Sequence, residues 1–114
     1  MRNALIILHS APESGDGRAL TAVRLAGAML ADGKEVTLFL VESGLQLANT
    51  ENITDSPAKA LFSELVEAGM AVHVCGKSMR DIGWTEENLP SGVSKSSMKM
   101  LSTLLSAADE LVSF

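Results

Sequence analysis

Apolar residues arrive along this chain in two kinds of run. NALIILH (3–9) and EVTLFLV (35–41) are apolar on consecutive positions and rich in branched side chains. That pattern belongs to strands covered on both faces, hence to a parallel sheet. Between them Ala19, Ala22, Val23, Ala26, Met29 and Leu30 recur at three and four, which is the single stripe of a helix over about 16–31. Ser14 or Asp16 caps its first turn, and Asp32-Gly33 supplies the left-handed stop. A loop follows over 42–52, with a helical turn at 45–48. Ser56-Pro57 then places a cap before a proline at the first helical position. The helix it opens runs to about Ala68, turns Leu61, Phe62, Leu65 and Val66 inward, and ends at Gly69. MAVHV (70–74) is a third strand. A short helical segment after Cys75 stops at Gly83, and 84–92 is irregular around Pro90. Ser94 is the expected cap of a last helix to about Ala108, with Met98, Leu101, Leu104, Leu105 and Ala108 on its stripe. ELVSF (110–114) closes the chain as a strand.

Strands alternating with helices imply a three-layer α/β/α sandwich around a mainly parallel sheet, joined by right-handed crossovers. The chain has 114 residues and reads as one domain over 1–114, with no repeat, low-complexity tract or linker.

Composition narrows the function classes. Hydrophobic residues make up 46% and charged ones 20%, a globular balance. With nine Lys+Arg, a formal net charge of −5 and no basic run, general nucleic-acid or anionic-membrane binding is disfavoured. The absence of tyrosine also argues against a base-stacking platform. No apolar run approaches the length that spans a bilayer, and the N-terminal ALIIL is too short for a signal-peptide core. A cytoplasmic protein of a reducing compartment is the expectation.

The chemistry centres on AVHVCGKSMRDIG (71–83), which holds the one cysteine of the chain. One cysteine allows neither an intramolecular disulfide nor a cysteine-rich zinc site, and the two histidines and the acidic residues show no metal-ligand spacing. No metal or organic cofactor is expected. In an open parallel sheet, chemistry collects beyond the carboxyl ends of the strands. Strand ends at His9, Glu42 and Cys75 would lie along that edge. If the segment after Cys75 is helical, its N–H groups and dipole favour the thiolate, with Lys77 and Arg80 adding positive charge and Gly76 removing bulk. The alternative is a buried cysteine acting as a small hydrophobe. His73 shares a strand face with Cys75, about 7 Å away at the backbone, long for a direct hydrogen bond. His9 lies on a different strand with a better line of approach. GDGRAL (15–20) opens like a phosphate-binding glycine loop, but Leu20 stands where the third glycine belongs, and a capped helix start explains it. Glu42 does close the second strand, where a ribose-binding acid would sit, but the broken glycine pattern leaves the dinucleotide reading weak. Lys95 and Lys99 read as the solvated face of a helix, and Met98 and Met100 as core or subunit interface.

Three stretches, 17–48 with Gly44-Leu45, VCGKSMRDIG (74–83) and 98–114, together resemble the DsrE/DsrF-like family of small sulfur-relay proteins, of the DsrE and TusD type. In the middle stretch Cys75 precedes Gly83 by the family's spacing. The resemblance implies a parallel, five-stranded α/β/α fold of flavodoxin-like architecture, and assembly into trimers or hexamers of identical or different subunits. It also implies a cysteine, here Cys75, that carries sulfur as a persulfide between donor and acceptor proteins. Two departures stand out. Ser78 occupies a position where some members have a second cysteine, and Ile82 one where arginine is frequent. They keep open a second expectation, a small-ligand-binding or assembly subunit in which Cys75 is structural.

Overall fold

The computed structural model describes residues 2–51 and 53–114. Its strands are β1 (Asn3–Leu8), β2 (Glu35–Leu40), β3 (Ala71–Cys75), β4 (Val93–Ser96) and β5 (Glu110–Ser113). They form one five-stranded sheet in the order β4-β3-β2-β1-β5. Every pairing is parallel. The helices are α1 (Arg18–Ala31), α2 (Pro57–Glu67), α3 (Gly76–Asp81) and α4 (Met98–Ala107). A 3-10 helix spans Glu42–Ala48 within the expected loop, whose last residue, Asn52, lies outside the described residues. The expected α/β sandwich is therefore the observed fold. Among the described residues no helix is long and apolar enough to cross a membrane.

Consecutive apolar residues send alternate side chains to opposite faces of the sheet. On one face Ile6, Leu8, Leu38 and Val74 meet Val23 and Phe62 of α1 and α2 in the larger core. On the other, Leu5, Phe39, Val41 and Cys75 form a smaller cluster against Leu101, Leu104 and Ala108 of the α4 region. Each such side chain removed from water stabilises the fold by about 2 kcal/mol. The stripe read on α1 is buried as expected, with Leu30 packed at its edge. Asp16 Oδ1 accepts from the Arg18 backbone N–H at 2.9 Å, so it holds the start of α1. That bond keeps its carboxyl below the usual carboxylate range, with help from the Ser14 side chain. Ser56 Oγ likewise accepts from the Lys59 N–H.

The C-terminal third departs from expectation. Residues 93–96 form a strand, and the cap of α4 is Ser97, whose Oγ accepts from the Met100 N–H at 3.1 Å, not Ser94. Lys95 therefore belongs to an edge strand and not to a helix face. VSKS has one buried apolar residue, Val93, so no periodicity announces it; backbone pairing to β3 makes the strand. The α4 stripe is also narrower than read. Leu101, Leu104 and Ala108 pack on the sheet, while Met98 (54% exposed), Met100 (42%) and Leu105 (40%) face solvent and belong to no core of this chain.

Candidate site at the carboxyl edge of the sheet

Cys75 is both the last residue of β3 and the cap of α3, in extended conformation at φ −63, ψ 120. The chain turns there from strand to helix, so the first-turn N–H groups of α3 lie next to the cysteine without helical carbonyls to bond. The thiol packs in the small cluster with Leu5, Phe39 and Val41 and is 4% exposed. Its access is thus set by α4, which covers that cluster and has no buried residue of its own.

Lys77 is exposed and pairs with Asp81 at 2.8 Å. Hydrogen bonding to Asp81 and its charge raise the Lys77 pKa, with a smaller upward push from Cys75. Lys77 therefore lies within electrostatic reach of the sulfur, in an exposed pair that salt screens. Arg80 points elsewhere. It lines a cleft of about 310 Å³ with Gly76, Trp84 and Lys95. Lys95 sits in register with Val74 of the larger core, and Ser96 with Cys75, so this cleft opens behind the sheet from the thiol. Gly76 serves the same contact. A Cβ there would meet Lys95 Cε at 3.0 Å and the Ser96 carbonyl at 3.2 Å, so its smallness lets α3 start against β4.

His9 stands at the end of β1, with Nδ1 2.9 Å from Glu42 Oε1. Two strand spacings, roughly 10 Å, separate β1 from β3. Glu42 was legible as a strand-end acid, but not as a partner for His9. Its backbone is left-handed, φ 51, rare for a residue with a side chain. The Glu42 N–H donates to Ser78 Oγ at 2.9 Å, and Ser78 is buried. Ser78 thus ties the end of β2 to α3, a role that no spacing in the sequence signals. His73 shares the α4 face with Cys75 but stacks on Phe39, with ring centroids 6.1 Å apart and planes within 8°. Its Nδ1 is buried without a hydrogen-bond partner, and burial lowers its pKa. The edge therefore gathers Cys75 with Lys77, and His9 with Glu42, while Arg80 and Gly76 face the rear cleft. Among the described residues no group of three His, Cys, Asp or Glu could hold a metal ion.

This fold is shared with known proteins. The crystal structure of the ychN protein from E. coli superposes with a TM-score of 0.87 over 100% of both chains at 20% identity. The structure of MTH1491 from Methanobacterium thermoautotrophicum, a protein of unknown function, gives 0.80 over 100% of both at 14% identity. In sequence, the chain is 34% identical over 111 residues to the uncharacterized protein MJ0989 of Methanocaldococcus jannaschii, covering 96% of each. It is 31% identical over 111 residues to the uncharacterized protein MK0008 of Methanopyrus kandleri, covering 96% of this chain and 91% of that protein. The model of the DsrE/DsrF-like family matches residues 3–114. With that match over nearly its whole length, and with a five-stranded parallel sheet that places its cysteine at the carboxyl edge, the chain belongs to the DsrE/DsrF-like family.

Proposed function

We propose that this chain is a sulfur-relay subunit that carries sulfane sulfur on Cys75. The observation that carries the reading is the double position of Cys75, which ends β3 and occupies the N-cap position of α3. The Cys75 thiolate attacks the outer sulfur of a donor persulfide, R–S–SH. A new S–S bond forms, the donor S–S bond breaks, and R–S⁻ leaves, so that Cys75 becomes a persulfide. An acceptor thiolate then attacks that outer sulfur and releases the Cys75 thiolate. First-turn N–H groups of α3 and the Lys77 ammonium stabilise the anion at each stage. Sulfur donor and acceptor are partner thiols, and the subunit works in a trimer or hexamer of identical or related chains. Because Cys75 is 4% exposed, transfer requires α4 to yield and to uncover the cluster of Leu5, Phe39 and Val41 beneath it. Incubation with a low-molecular-weight persulfide, followed by intact-mass spectrometry, should add sulfur to the wild type and none to Cys75→Ser. Equal addition to both, or none to either, overturns the reading.

The burial of Cys75 among Leu5, Phe39 and Val41 favours a second reading, an assembly or ligand-binding subunit in which the thiol is packing. Alkylation of native Cys75 at the rate of global unfolding, whatever the size of the reagent, would select it.

A further inference from the structure

A cavity of about 460 Å³ opens on the α1/α2 side of the sheet, away from Cys75. Its volume is that of sites that take small molecules. One wall is a single face of α2, on which Lys59, Phe62, Ser63, Val66 and Glu67 follow at helical spacing. Leu47 and Pro90 stand among the opposing residues. Gly92, at φ +89, lets the turn before β4 close on α2, since a Cβ there would lie 2.7 Å from Val66 Cγ1.

The two ends differ in charge. Lys59 is 5% exposed, unusual for an ammonium group. Its Nζ donates to the Glu51 carbonyl at 2.9 Å and pairs with Glu13 Oε1 at 3.3 Å. An ammonium has three donors, and among the described residues these two contacts occupy two of them. The Glu13 side chain is 60% exposed, so among the described residues the carboxylate paired with the buried cation reaches it from the solvent side. Glu67 stands about 12 Å further along the α2 axis, with Phe62 and Val66 between. A ligand that completes this cavity carries a negative head toward Lys59, a hydrocarbon body along Phe62 and Val66, and no second negative group near Glu67.

We infer that this cavity is a binding site for a small amphipathic monocarboxylate, independent of the chemistry of Cys75. The cavity wall belongs to the larger core and the thiol to the smaller, with the sheet between them. The test is a titration of the full chain, followed by residue-resolved NMR, with octanoate as the probe and 1-heptanol and octanedioate as comparators. Octanoate should give saturable shifts along α2 and at the 90–92 turn, with weaker binding of the neutral and dianionic probes. Lys59→Met should weaken octanoate by about tenfold or more, the worth of one charge-assisted hydrogen bond. Ser63→Phe, which fills the cavity while sparing Lys59, should abolish the shifts; it decides the matter alone if Lys59→Met does not fold. Absence of saturable shifts, shifts confined to α4, equal affinity for 1-heptanol, or undiminished binding by Ser63→Phe overturns the inference.

Discussion

His73 carries a consequence for stability that its geometry makes specific. Its ring lies parallel to that of Phe39, and its Nδ1 is buried without a partner, so charging it in the folded state is disfavoured. Its folded pKa falls below the ordinary value of 6.5 because of burial. The unfolded chain then binds the proton more readily, and stability rises with pH across the interval between the two values. The stabilising contribution is complete above 6.5, declines as pH falls below it, and levels off beneath the folded pKa. Denaturant midpoints measured between pH 7.5 and 5 should fall with pH in the wild type and fall less in His73→Phe. An unchanged slope in the variant would show that His73 does not carry the dependence. At this scale residue types and strand faces are legible in the sequence. It put His73 and Cys75 on one face, but it did not reveal that the imidazole is held by Phe39, because that contact crosses from β3 to β2.

Among the elements, the turn that leaves β2 depends on one glycine. Gly44 lies in the 3-10 helix of Glu42–Ala48 where it passes the end of β1, and a Cβ there would collide with the Leu8 carbonyl group. A backbone atom cannot rotate aside as a flexible side chain can. Gly44→Ala should therefore destabilise the fold by about 3 kcal/mol or more, read as a lower denaturant midpoint with an unchanged slope. A loss below about 0.5 kcal/mol, the range of ordinary surface substitutions, would mean that the turn shifts freely. The same collision explains why a glycine-hydrophobic pair here is a useful mark in the sequence. Gly44 keeps the chain close to β1, and Leu45 enters the larger core. Strand β4 shows the opposite case. Its pairing is built from backbone groups, and its exposed side chains suit an edge strand, so it has no hydrophobic signature to read.

For the whole molecule, the asymmetry between the two faces matters most. The α1/α2 face is closed by helices with buried stripes, whereas α4 leaves Met98, Met100 and Leu105 outward. Leu111 of β5, in register with Leu5, adds to the uncovered apolar surface on that side. The assembly proposed above would cover this surface, if it buries the roughly 800 Å² per partner of a standard stable interface. Leu105→Glu combined with Met98→Glu should lower the mass observed by sedimentation velocity without a change in secondary structure. A wild type that sediments as a monomer at micromolar concentration would remove assembly from the proposal.

Consecutive apolar runs, one helical stripe after another, and residues that cap or stop helices determined the fold class and put Cys75 at a strand end. Those signals are local, because period and capping act over a few residues. Tertiary structure alone decided that Arg80 and Lys95 share a cleft behind the sheet, that His9 meets Glu42, that Ser78 holds β2 to α3, and that Lys59 lines a cavity. Each of these depends on which strand lies beside which and on the face where a helix returns. Such choices arise from packing between segments far apart in the chain, to which no short stretch of sequence gives a unique answer.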